Sequence, residues 1–240
     1  MKQYIDSIQK ISLISLVLSV LLAKVPVSNA NLIRNPSFED VPEGSWYGQG
    51  LMPSEWLIAN FTPDTYSEDG SYGLLQTAGS IFVTGGNFTG VTAQEGIRWV
   101  AGWSLFPETF GQLLTTPLSP GQQYKFSGYM IQAKRTDIDN PGGYELWLAA
   151  DSDTPATGYL GRLEPTTDSD EWEFRTLTFT APQDADNLPF LLFVPYNTGT
   201  GRAYPGLDSV MLVPEPATVL LLSLGGLIIL RNRNGCWKHS

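Results

Sequence analysis

Between residues 31 and 213, apolar residues recur in short stretches with a period of two, and glycine or proline closes most of them. Tyr124, Phe126, Gly128 and Met130 alternate with Lys125, Ser127 and Tyr129, and Tyr144, Leu146 and Leu148 alternate with Glu145 and Trp147. Successive side chains of a strand point to opposite faces, so this spacing gives each segment one inward and one outward face. Comparable stretches fall at 72–77, 97–103, 110–115, 172–180, 188–194 and 207–213. Gly85-Gly86, Ser119-Pro120-Gly121, Asn140-Pro141-Gly142-Gly143, Ala181-Pro182 and residues 197–201 supply turn chemistry between stretches. No window of this region carries a 3.6-residue apolar stripe. The pattern predicts an all-β sandwich. The apolar phase shifts by one residue between Phe174 and Leu177, which predicts a β-bulge near Arg175.

The two ends of the chain are built differently. Lys2 and Lys10 precede an apolar run from Ile11 to Ala23, and Ser28-Asn29-Ala30 follows. Small residues at Ser28 and Ala30 suit cleavage by signal peptidase before Asn31, so residues 1–30 are expected to be a signal helix that is removed. At the far end, Pro214-Glu215-Pro216 leads into an apolar run, Ala217 to Leu230, stopped by Arg231-Asn232-Arg233. As a helix, that run covers about 21 Å, short of the ~30 Å hydrocarbon core of a bilayer. Positive charge lies outside both runs, which places both ends on the cytoplasmic side and translocates everything between them.

The Pro-Glu-Pro tripeptide, the short apolar helix containing Gly225-Gly226 and the arginines behind it resemble the PEP-CTERM sorting domain of bacterial exported proteins. The resemblance implies processing by an exosortase and a C-terminal helix that holds the protein in the membrane, transiently or permanently. Pro214, Glu215, Pro216, Arg231 and Arg233 carry the signal, over residues 214–233, and 234–240 form a cytoplasmic tail longer than the pattern requires. The expected location is the bacterial cell envelope or the extracellular space.

Composition then removes many chemistries from the exported segment, 31–213. The only cysteine, Cys236, and the only histidine, His239, lie in the tail. No disulfide, thiol nucleophile, Ser-His-Asp triad or His/Cys zinc site can be built from the rest. About 180 residues suffice for one domain with a substantial core. The segment carries 22 Asp and Glu against 8 Lys and Arg, a balance of −14, which repels nucleic acid and suits divalent cations or neutral sugars.

Several stretches are similar to galactose-binding-like jelly rolls, which include carbohydrate-binding modules. They are Asn31 to Glu39, Gly70-Ser71-Tyr72-Gly73-Leu74, Phe110 to Tyr124, Trp172 to Thr180 and Gly206 to Val210. The resemblance implies a jelly roll of about eight to ten strands, with 31–39 as its opening strand. It also implies a structural calcium ion shared by Glu39 and Asp208, whose hard oxygens suit that ion. Aromatic faces are the candidates for sugar contact: Trp147, out of phase with the inward residues of its strand, and Trp46-Tyr47 in a glycine-rich loop. Trp56, Trp99 and Trp172 are expected in the core, and Trp103 fits either role. The leading expectation is a noncatalytic exported protein that associates with extracellular polysaccharide. A structural surface sandwich without a sugar ligand is the alternative. A glycosidase using paired carboxylates such as Glu145 and Glu173 is the third, and nothing in the sequence gives either an apolar pocket.

Overall fold

The computed structural model describes residues 30–44, 46–78, 87–138, 140–153 and 156–215. The expected signal segment, residues 1–29, and the tail from Pro216 onward with Arg231 and Arg233, lie outside the described residues, as do the helices expected there. The chain divides into two compact units, one of them Ala30–Val213. Of the other, Met1–Asn29 with Pro214–Ser240, only Pro214 and Glu215 are described.

Ala30–Val213 is an all-β sandwich. Its strands are β1 (Trp46–Tyr47), β2 (Leu57–Asn60), β3 (Asp64–Ser67), β4 (Tyr72–Leu75), β5 (Arg98–Ala101), β6 (Thr109–Leu113), β7 (Gln123–Gln132), β8 (Gly142–Ala149), β9 (Gly158–Arg162), β10 (Glu173–Thr180), β11 (Phe190–Asn197) and β12 (Pro205–Pro214). One sheet has the order β1-β4-β3-β5-β12-β7-β10, the other β2-β6-β11-β8-β9. The twelve described strands exceed the expected eight to ten because β1 to β3 and β9 are short and fall outside the alternating stretches.

The alternating residues face inward as the spacing predicts. Phe126, Met130, Tyr144, Leu146 and Leu148 are fully buried between the sheets, beside Trp56, Phe110 and Phe193. Phe110 and Phe193 stack with ring centroids 5.4 Å apart. Gly111 lets these strands close: a Cβ there would lie 2.2 Å from the Leu191 carbonyl oxygen. A second cluster, with Tyr66, Phe88, Trp99, Ile131 and Tyr204, buries the other face of β3, β5 and the end of β7.

Two expectations are corrected. Residues 31–39 are not a strand but an irregular segment with left-handed backbone at Asn35 and Phe38. It is held by Leu32 N–H donating to Leu212 O and Thr115 N–H donating to Leu32 O. No bulge occurs at Arg175, for β10 pairs with β7 in unbroken register from Glu173↔Met130 to Thr180↔Gln123. The phase shift arises because Phe174 faces outward, 52% exposed, against Tyr129 at 5.1 Å.

Candidate functional site

A cleft of about 620 Å³ opens where β5 and β7 end and β3, β6 and β12 begin. Asp64 enters it from the first position of β3, Trp103, Phe106 and Glu108 from the β5–β6 connection, Arg135 and Asp137 from the segment after β7, and Arg202 and Tyr204 from the approach to β12. Tyr47 of β1 borders it and Asn87 contributes to its lining. The strand ends and connections of both sheets thus bring together residues up to 157 positions apart in the chain (Tyr47 to Tyr204).

A hydrogen-bonded row lies beneath the cleft. Tyr204 Oη donates to Asp64 Oδ2 at 2.7 Å, so the Tyr66–Tyr204 contact at 3.0 Å has Tyr66 as donor. Asn87 Nδ2 in turn donates to Tyr66 Oη. Gly50 N–H donates to the other Asp64 oxygen at 3.1 Å. Asp64 is 5% exposed, and burial raises its pKa against the lowering effect of the Tyr204 bond. Glu108 takes the Trp103 N–H at 2.7 Å, and burial, aided by the charge of Asp64, lifts its pKa to about 8. Asp137 behaves oppositely: the Arg135 guanidinium, bonded to both its oxygens at 2.9 Å, holds it below the usual carboxylate range. The same guanidinium lies 4.4 Å over the Trp103 ring. The cleft therefore combines ring faces, a paired arginine–carboxylate group and two carboxyls that resist ionisation.

Of the residues expected to bind a ligand, only Tyr47 reaches this cleft. Trp46 is 56% exposed and its indole N–H turns back to Glu43 O at 3.2 Å. Trp147 lies on the outer face of the five-stranded sheet, 4.7 Å from the Tyr159 ring, with its N–H on Glu145. Trp56 and Trp99 are buried, as expected, whereas Trp172 is only partly buried, packing against Trp99 with its indole N–H on Thr92 O at 2.7 Å. Glu145 sits on β8 and Glu173 on β10, in different sheets, so the conceivable carboxylate pair is not assembled.

Glu39 and Asp208 converge on one segment, 94–98. Glu39 Oε1 accepts from Ile97 and Arg98 N–H at 2.9 and 2.8 Å, and its Oε2 meets the Arg98 guanidinium at 3.1 Å. Asp208 Oδ2 accepts from Gln94 and Glu95 N–H at 2.8 and 3.1 Å, and Oδ1 from Ser209 N–H. Gly96, at φ +70°, leaves room for Glu39, which a Cβ would meet at 2.3 Å. Burial, with the Glu39 charge nearby, raises the Asp208 pKa to about 7. Every oxygen of this pair faces a donor, so a cation would have to displace Arg98 or backbone N–H groups. Among the described residues, no group of three or more His, Cys, Asp or Glu is placed to hold a metal.

At the chain ends, Asn31 Oδ1 accepts from Ile33 and Leu212 N–H and its Nδ2 donates to Val210 O at 3.0 Å. Ala30 is the first described residue, Pro214 ends β12 and Glu215 is the last described residue. Ser28 and Pro216 fall outside.

No known family pattern and no curated protein matches the chain. Solved structures do resemble it. TmCBM61, in complex with beta-1,4-galactotriose, is 15% identical over 78% of this chain and 99% of its own, with a TM-score of 0.40. A family 16 carbohydrate-binding module is 16% identical over 51% of this chain and 80% of its own, at 0.35. A Stig cyclase from Fischerella sp. TAU is 18% identical over 78% of this chain and 97% of its own, at 0.47. At such values these likenesses carry nothing about ligand or activity. The expectation of a noncatalytic chain is corrected here: cyclases stand beside carbohydrate-binding modules among the similar structures, so whether this chain catalyses a reaction is open. What the chain is similar to is a set of carbohydrate-binding-module-like β-sandwiches that includes enzymes.

Proposed function

We propose that the chain is an exported bacterial envelope or extracellular protein whose β-sandwich associates with extracellular polysaccharide in the end cleft. The observation that carries this is the lining, in which Trp103, Tyr47 and Phe106 stand beside Asp64, Asn87, Glu108 and Arg135. Ring faces suit the C–H face of a pyranose, and convergent polar groups suit its hydroxyls. Export rests on the sequence: signal peptidase acts before Asn31, and an exosortase acts at Pro214-Glu215-Pro216, with Arg231 and Arg233 holding the cytoplasmic end of the short helix. Titration with purified polysaccharides, followed by tryptophan emission, tests the cleft. A shift that Trp103→Ala removes and Trp147→Ala keeps is expected. Loss with Trp147→Ala alone moves binding to the outer face of the five-stranded sheet. No shift with any glycan favours a surface sandwich that contacts other proteins.

Glu108 favours a second reading, an enzyme in which this carboxyl donates a proton to the leaving group of a bound glycan. Its support is the cleft position and a pKa near 8. Turnover of a glycan that Glu108→Gln abolishes would establish it. A structural calcium ion shared by Glu39 and Asp208 belongs to the proposal as well; its support is the jelly-roll resemblance and the convergence of both carboxylates on segment 94–98, and the ion would take the place of the Arg98 guanidinium and backbone N–H groups that hold those oxygens. A melting temperature that falls on adding a chelator supports the ion, and one that stays put counts against it.

A further inference from the structure

We infer that the cleft selects a cationic sugar, a pyranose bearing a primary ammonium group, as in polysaccharides with free amines. This rests on the reading that the cleft takes carbohydrate, and it names the class. The charged groups of the lining are Asp64, Glu108, Asp137, Arg135 and Arg202. Both guanidiniums are committed to Asp137, Arg135 at 2.9 Å and Arg202 at 3.4 Å. Asp64 and Glu108 are left with neutral hydrogen-bond donors: the Tyr204 hydroxyl and Gly50 N–H for one, Trp103 N–H and the Thr62 hydroxyl for the other. Among the described residues neither forms an ion pair. The charge of Asp64 opposes the ionisation of Glu108 and the Arg135 guanidinium offsets it only in part, so a cation bound beside them draws Glu108 into its ionised form with release of its proton, which a neutral hydroxyl does not.

A separate observation points the same way. Asn87 is 5% exposed and lines the cleft, and its Oδ1 has no hydrogen-bond partner while its Nδ2 is spent on Tyr66. The row from Asn87 through Tyr66 and Tyr204 runs donor to acceptor toward Asp64. What remains open is an acceptor, which a ligand rich in donors satisfies. An ammonium has three donors and no acceptor, so it suits a cleft whose unpaired polar groups are acceptors, the carboxyls of Asp64 and Glu108. The Trp103 ring already holds a cation against its face, in Arg135.

Calorimetry on the full-length protein with tetraglucosamine and with its fully N-acetylated counterpart tests this at neutral pH. The amine form is expected to bind about tenfold more tightly. Glu108→Gln and Asp64→Asn are each expected to erase that ratio and to keep weak binding of the acetylated form, with melting temperatures reporting that each variant folds. The comparison on the unmodified protein stands even where a variant does not fold. Equal or tighter binding of the acetylated form overturns the inference and leaves the carbohydrate reading intact. No binding of either removes both. Calcium chloride displacing tetraglucosamine overturns the inference in favour of a metal ion at the acid pair.

Discussion

Glu108 and Asp208 hold their protons in the folded chain well past the pH at which the unfolded chain gives them up. Glu108 moves from 4.5 to about 8 and Asp208 from 3.8 to about 7, and Asp64 moves in the same direction. A folded-state pKa above the unfolded value favours the fold below the unfolded pKa, and the advantage is lost as pH rises through the folded one. Stability is therefore expected to fall between roughly pH 4 and pH 8 on account of these groups. Asp69, Asp137 and Asp168 are shifted downward, so their opposite contribution is lost only in stronger acid. Melting temperatures measured from about pH 5 to about pH 8 should decline in the unmodified protein and decline less in Glu108→Gln. A flat profile in both would remove the buried acid from the account. Gly96 is the other residue with a sharp expectation. Alanine there meets Glu39 and a left-handed backbone, and should lower the melting temperature measurably.

At the level of elements, β10 tests the register directly. Phe174 faces solvent and Phe179 faces the core at 7% exposure. Phe179→Ala should cost about 3 kcal/mol in denaturant unfolding. Phe174→Ala should cost under about 0.5 kcal/mol, since it empties no interior volume. Equal costs would mean that the phase shift is a bulge after all. Period-two alternation made β7, β8, β11 and β12 legible in the sequence, because long strands buried on one face leave that trace. β3 left none: Asp64, Thr65, Tyr66 and Ser67 are all buried, polar and apolar alike, because neighbouring layers cover both faces. The 31–39 segment resembles the opening strand of jelly rolls, yet its bonds go to β12 and to Thr115 without forming a ladder. The cleft was less legible still. Trp103 was the one side chain marked as undecided, and Asp64, Glu108, Arg135 and Arg202 come from separate connections that only the strand order assembles. No local spacing could announce them.

For the molecule as a whole, the cleft and the meeting of the first and last segments occupy different ends of β12. Tyr204, at the cleft, and Leu212, bonded to Leu32, are eight residues apart, about 26 Å along a strand. Trimming near Asn31 and Pro214 would thus act far from the ligand site. Mass spectrometry of the protein recovered from its producing cells should find an N-terminus at Asn31 and a C-terminus near Pro214-Glu215-Pro216. Recovery with Met1 and Ser240 both in place would defeat the export reading.

The contact between Leu32 and Leu212, a single 2.9 Å hydrogen bond reinforced by the Asn31 side chain, also makes the sandwich topologically close to a ring. A few residues of linker joining 213 back to 31 would seal that ring. The backbone could then be reopened at the Ala181-Pro182 turn, giving a circular permutant with the same two sheets and the same cleft.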